Sequence, residues 1–257
     1  MNEHACAIDA HGERVQDMFT RIAHGYDRAN HWMSLGIDIR WRRRAVSRLL
    51  ESEHGADKRV LDLCAGTLDS TLEIHAQYPE ASIVAGDFSA RMLDMGTRKL
   101  GGRSVQCITT AVMDAHSLPE GDACLDAIFC AFGIRNLSDL ERATREQARC
   151  LRPGGRLVVL EFFRPTSLSA RLFHATYNRT VLPLVGWATT GHLDAYLYLP
   201  RSIGGFAKLE DYLELLATCG FEPILCERFT FGIAWSVTAI RTAGTNTNTR
   251  AYGGGHP

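Results

Sequence analysis

No run of about 18 or more apolar residues occurs in this chain, so no segment is long enough to cross a bilayer as a helix. There is no excess of one charge either: 28 basic against 29 acidic residues give a formal net charge of −1, without the field that a polyanion binder uses. A nucleic-acid partner is therefore not expected. The opening residues MNEHACAIDAHGER lack the basic start and apolar centre of a secretory signal. The eight cysteines include no CxxC pair, and most stand in apolar runs such as LDAIFCAF and EPILCERF. They read as small buried hydrophobes in a reducing compartment. The expected location is cytoplasmic, with peripheral contact at a membrane left open, and no metal site is expected.

What is present is enough apolar residue, 46% of 257, for one full core. Residues 1–14 and the tail TAGTNTNTRAYGGGHP over 242–257 are polar and are expected to be disordered, leaving a single domain over 15–241. The spacing of Val15, Met18, Phe19 and Ile22, and later of Trp41, Val46, Leu49 and Leu50, predicts helices interrupted near NHWMSLGID. Short strands follow at RVLDLCA, ASIVAGD, SVQCITTAV, LDAIFCAF and GRLVVLEFF, separated by helical stretches. That alternation predicts a doubly wound, mostly parallel α/β sheet. Ser138, with Glu141 three residues on, is the expected cap of the last of these helices. After Phe163 an aromatic-rich stretch, about 165–205, reads as an inserted helical cap. A helix KLEDYLELLATC closed by Gly220 then precedes an antiparallel hairpin of EPILCERFT and IAWSVTAI.

The first strand runs into VLDLCAGTLDST, at a place where open parallel sheets hold ligands. It lacks the G-x-G-x-x-G that brings backbone N–H groups onto a pyrophosphate and the G-K-[ST] of a P-loop. Asp62 opens the turn, Gly66 permits close backbone approach, and Asp87 ends the next strand, where an acid accepts both hydroxyls of a ribose. Asp114 follows the third strand, placed to accept from an adenine amino group, with the Ala115 N–H beside it. The set describes a phosphate-free nucleoside, and S-adenosylmethionine fits: ribose, adenine and a sulfonium that acidic walls tolerate. The plainer alternatives are that Asp87 caps the helix SARML and that Asp114 begins a turn.

With these residues the chain resembles the class I methyltransferases, and more narrowly the C-methyltransferase family of ubiquinone and menaquinone biosynthesis. The resemblance covers roughly residues 15–241. It is carried by MFTRIAHGYDRANHWMSLGIDIRWRRRAV, which follows the family's F-x-x-(I/V)-A-x-x-Y-D-x-x-N, and by VLDLCAGTLDST, FGIRNLSD, LRPGGRLVVLEFFRP and AYLYLPRSI. It implies a Rossmann-like, seven-stranded sheet ending in the antiparallel hairpin, with an N-terminal helical lid. It also implies cofactor contacts at Thr67, Asp87, Asp114 and Ala115. Three departures stand out. Ala131 replaces a serine, WSVTAIRT replaces an H-R-G-(Y/F)-K-like closing segment, and Leu68 replaces the second glycine of G-T-G-D. A leucine at positive φ costs on the order of 1 kcal/mol or more, and here its side chain is expected to crowd the cofactor.

The implied chemistry is in-line methyl transfer, in which the protein holds the acceptor atom about 3 Å from the methyl group. A hydroquinone ring carbon becomes nucleophilic when the phenol, with its ordinary pKa near 10, loses its proton beside a base or a cation. Arg135 in FGIRN is placed to stabilise the phenolate and Asn136 to position a ring oxygen, while Tyr26, with Asp27 and His24, is a candidate for the proton's path. The alternative for Arg135 is an ion pair with Asp139 or Glu161, and for His24 a plain surface position. Phe173, Tyr177, Trp187, Tyr196 and Tyr198 line either a channel for an isoprenoid tail or ordinary core. RWRRR, residues 40–44, reads as a solvated face or as contact for anionic headgroups. The expected partner is a small aromatic or lipid quinol, with a homodimer or a biosynthetic complex left open. A soluble aromatic acceptor and a non-catalytic member of the fold are the alternatives.

Overall fold

A computed structural model describes residues 34, 36–51, 54–100, 106–166 and 193–243, with residues 193–197 described by backbone. Helix α1 (Ile37–Val46) precedes β1 (Arg59–Leu63), α2 (Asp69–Gln77), β2 (Ser82–Asp87), α3 (Ala90–Lys99), β3 (Ile108–Val112) and β4 (Leu125–Ala131). A 3₁₀ turn (Ile134–Asn136), α4 (Leu140–Cys150), β5 (Leu151–Glu161), α5 (Leu193–Gly205), α6 (Leu209–Thr218), β6 (Phe221–Phe229) and β7 (Ala234–Arg241) follow.

The strands form one seven-stranded sheet in the order β3-β2-β1-β4-β5-β7-β6. All pairs from β3 to β5 are parallel, and β7 runs antiparallel to both β5 and β6. The expected fold class is therefore the observed one, closing hairpin included, and WSVTAIR forms β7. The chain leaves β1 outward to β2 and β3, then returns to place β4 on the other side of β1. The switch point thus lies between β1 and β4, and past the carboxyl ends of such strands is where open α/β sheets place their ligands.

Continuous apolar sequence explains the centre of the sheet. LDAIFCA of β4 is buried along nearly its whole length because helices cover both faces. Alternation sorts its residues: Ile128 and Cys130 join Leu61, Leu63, Leu157, Tyr212 and Leu216 on one face. Ala127 and Phe129 join Val60, Ile83, Val158, Trp41 and Ile74 on the other. Edge strand β6 instead alternates buried and exposed, and Cys226 is exposed there, which corrects its reading as a buried hydrophobe.

Local chemistry corrects two caps. Asp139, not Ser138, caps α4, its side chain accepting from the Arg142 N–H at 2.9 Å, while Glu141 pairs with Arg145. Ser89, not Asp87, caps α3. Among the described residues no helix is long and apolar enough to cross a membrane. The expected N-terminal lid with His24, Tyr26 and Asp27, the cap residues Phe173, Tyr177 and Trp187, and both polar termini up to residue 14 and from 244 lie outside the described residues.

Candidate active site

Three loops at the carboxyl edge of the sheet are stitched together by backbone bonds. Ala65 N–H donates to the Gly86 carbonyl at 3.0 Å, and Met113 N–H to the Asp87 carbonyl at 3.0 Å. Asp62, Asp87 and Asp114 are brought together in this way.

Asp87 accepts from the Gly66 N–H at 2.8 Å through one oxygen and from the Ser89 N–H at 2.9 Å through the other. Burial pushes its carboxyl up to about 6, against the pull of those backbone donors. Asp62, deeper, accepts from the Thr71 hydroxyl at 2.6 Å, while its second oxygen is buried without a hydrogen-bond partner. Its carboxyl is pushed up to about 7, again by burial. Gly66 stands at φ +52°, where glycine is the least strained residue, and Thr67 beside it is buried.

Asp114 does begin a turn, its carbonyl accepting from the Ser117 N–H at 3.1 Å, but its carboxylate is held separately. One oxygen accepts from both the backbone N–H of His116, at 2.9 Å, and the His116 ring Nδ1, at 2.6 Å. The other ring nitrogen, Nε2, accepts from the Asp139 N–H at 3.2 Å, so the proton belongs on Nδ1 and points at Asp114. Ala115 is buried next to it. His116 escaped the sequence reading because its partners, Asp114 and Asp139, lie on different loops.

Leu68 does adopt positive φ, +68°, as the strain argument requires. Its side chain, however, is fully buried in a cluster with Ala65, Ala85 and Leu93, and a Cβ on Gly96 of α3 would lie 2.3 Å from its Cγ. The expectation that Leu68 crowds the cofactor is thereby corrected: the side chain turns into the core, and Gly96 makes room for it. Leu68→Gly should relieve backbone strain yet leave a cavity, a net loss of about 1–4 kcal/mol, because emptying a buried leucine site outweighs one strained φ. Thermal unfolding is the check, and a higher Tm in the variant would contradict it.

Across the switch point, the turn after β4 carries Arg135 and Asn136. Arg135 meets Glu161, the last residue of β5, at 2.7 Å, with side-chain exposures of 5% and 0%. Of the two carboxylates proposed as its structural partner, Glu161 is the one in place. Burial raises the Glu161 carboxyl above its ordinary value, and Arg135 opposes that rise. The Phe132 carbonyl gathers the turn, accepting from Arg135 at 2.6 Å and from the Asn136 amide at 3.5 Å, with Phe132 itself at φ +56°. The Tyr198 hydroxyl of α5 donates to Asn136 Oδ1 at 3.0 Å, which orients the amide. The two halves of the site touch at Gly133, where a Cβ would lie 2.4 Å from the Cβ of Cys64.

The residues present suit S-adenosylmethionine. The partnerless, deeply buried oxygen of Asp62 and the reluctantly ionised Asp87 fit a cationic ligand carrying hydroxyls, and neither suits a phosphate.

The family model of the ubiE/COQ5 methyltransferase family matches residues 7–241. A demethylmenaquinone methyltransferase from Thermus thermophilus is 42% identical over 217 residues, 84% of this chain and 96% of that one. The ubiquinone/menaquinone biosynthesis C-methyltransferase UbiE of Geobacter sulfurreducens is 40% identical over 225 residues, 87% and 86% of the two chains. Among solved structures, a SAM-dependent methyltransferase from Aquifex aeolicus superposes with a TM-score of 0.57 at 13% identity, over 78% of this chain and 89% of that one. At that identity the superposition speaks for the fold alone. The match over nearly the whole sheet and both turns, with two relatives at 40% identity or above, places this chain in the ubiE/COQ5 methyltransferase family.

Proposed function

We propose that this protein methylates a ring carbon of a prenylated quinol in ubiquinone or menaquinone biosynthesis, with S-adenosylmethionine as donor. The observation that carries the cofactor half is the stitched row of Asp62, Asp87 and Asp114 across β1, β2 and β3 without any phosphate cradle. The names of the relatives support the quinol half. When bound, the cofactor supplies an electrophilic methyl group on a sulfonium. In this reading Asp87 accepts from the ribose hydroxyls, Asp114 and the Ala115 N–H read the adenine edge, and Gly66 and Thr67 line the amino-acid end. Asp62 supplies negative charge beneath it. Arg135 faces the developing phenolate and Asn136 holds a ring oxygen, both fixed by Phe132, Glu161 and Tyr198. Arginine holds its protons, so the phenolic proton leaves through Tyr26 or water.

Leu68 was the reason to consider a non-catalytic member of the fold, and its burial in the core removes that reason. The direct test of the acceptor is the quinone profile of a strain deleted for this chain. Accumulation of a quinone lacking one ring methyl supports the proposal; an unchanged profile sinks the quinol reading.

The two raised carboxyls also make a pH prediction. Their folded values, about 7 for Asp62 and about 6 for Asp87, lie above the unfolded value of 3.8, so the ligand-free fold is favoured below about pH 4 and loses that advantage as pH rises through 6–7. A cationic ligand favours ionisation, so its binding at pH 6 should expel about one proton, and its affinity should rise from pH 5.5 to 7.5. Titration calorimetry in two buffers of different ionisation heat measures that proton, and identical heats in both would contradict the assignment.

A further inference from the structure

The β6–β7 hairpin ends in the 3₁₀ turn Thr230–Gly232, and there Phe231 stands 92% exposed. From this tip we infer a membrane-docking wedge: Phe231 enters an anionic lipid surface while neighbouring arginines meet the headgroups. The inference deepens the quinol reading, on which the benefit of docking rests, because a prenylated acceptor resides in lipid.

The tip is held outward by its backbone. Thr230, Phe231 and Gly232 all have positive φ, +42°, +58° and +93°, an unfavourable run for a β-branched and an aromatic residue. Trp41 of α1 braces it from beneath, its indole N–H donating to the Thr230 hydroxyl at 3.2 Å and its ring stacked 6.3 Å from Phe229. A braced turn that presents a bare phenyl ring differs from a scattered surface apolar residue.

Its position ties it to the acceptor side. Glu161 pairs in register with Trp235, so the turn lies just beyond the carboxyl end of β5, at the edge of the sheet that carries Arg135. An aromatic row joins the two. The Arg135 guanidinium lies 5.7 Å from the Phe162 ring centre, Phe162 stacks on Phe132 at 4.6 Å and meets Trp41 edge-on at 6.3 Å, and Trp41 leads to Phe229 and the tip. The row is packed into the core around Trp41, so it fixes the tip relative to Arg135.

The charge is complementary to anionic lipid. Residues 39–50 and 228–241 contain no acid. Arg228 packs within 3.5 Å of where a Cβ on Gly232 would stand, Arg40 is exposed on the turn of α1 before Arg44, and Glu227 is already shared by Arg44 and Arg48. An exposed phenyl ring with Arg228 beside it, backed by two arginines that share one acid, is a composition that favours peripheral binding to anionic bilayers.

Vesicle sedimentation with the full-length protein tests this without substrate. We expect binding to vesicles containing phosphatidylglycerol, weakened by salt and by replacement with pure phosphatidylcholine. Phe231→Ser should bind about tenfold more weakly at unchanged Tm, and Phe231→Leu should largely restore binding. Turnover of a tailless, water-soluble quinol should be the same in Phe231→Ser as in the native protein, and turnover of a vesicle-borne prenylated quinol should fall. Equal vesicle binding by the native protein and Phe231→Ser, or none by either, overturns the wedge. So does a dimer that Phe231→Ser dissociates with no change in vesicle binding, since the tip would then be an interface between copies. If neither quinol is methylated while vesicle binding follows Phe231, the acceptor assignment fails and the wedge stands.

Discussion

Asp87→Ala is expected to abolish measurable binding of S-adenosylmethionine by titration calorimetry, a loss of 100-fold or more. Each hydrogen bond from a ribose hydroxyl to a buried carboxylate is worth about 1.5–3 kcal/mol, and two are lost together. A second consequence separates this variant from a simple contact deletion. Asp87 also accepts from the Gly66 and Ser89 N–H groups, so its removal leaves both donors unmatched at the turn that approaches the ligand. Asp87→Asn keeps one acceptor oxygen and removes the charge. It should retain more of the fold, and it should still lose most of the affinity if the carboxylate receives both hydroxyls. Native-like affinity in Asp87→Asn and Asp87→Ala would mean that the nucleoside lies elsewhere.

Arg135→Ala should destabilise the protein by about 3–5 kcal/mol and remove turnover, while leaving cofactor affinity within a few fold. The stability loss follows from geometry, because Glu161 is fully buried and keeps only backbone N–H donors once the guanidinium is gone. It should also depend on pH in a stated direction. Without Arg135, the Glu161 folded pKa rises still further above its unfolded value, so the deficit should be smallest near pH 5 and grow toward pH 8, as denaturant titrations at both pH values will show. The double variant Arg135→Met with Glu161→Leu removes both charges and should recover much of the stability. If turnover also returns in that double variant, Arg135 serves only to hold the fold and has no part in the methyl transfer.

The frame of the molecule was legible from pattern. Alternating strand and helix, the run LDAIFCAF and the sequence order of Asp62, Asp87 and Asp114 lead directly to the sheet and to three carboxylates at or just past its strand ends, because burial on both faces and strand-end placement follow from local sequence. Contacts made across the fold were not legible in the same way. The direction of Leu68 depends on Gly96, on a helix packed against the turn, and its φ alone leaves the side chain's fate open. Arg135 had two carboxylates within plausible reach, and only the register of β4 against β5 decides for Glu161. The choice of Asp139 over Ser138 as a cap turned on the backbone of a single residue, which no periodicity encodes. Phe231 fell in the link between the two expected strands, and a link residue's sequence does not say whether its ring folds back or stands out, as it does here.

The contact between Gly133 and Cys64 joins the turn after β1, proposed to hold the methyl donor, to the turn that bears Arg135 and Asn136. Neither can move toward the other, since there is no space for even one methyl group between them. With donor and acceptor held at these two turns, as proposed, the junction predicts that filling one alters the affinity for the other. If donor occupancy changes acceptor affinity by some factor, acceptor occupancy must change donor affinity by the same factor. Gly133→Ala would wedge the junction apart, and its mark would be a change in that cooperativity as much as in either affinity taken singly.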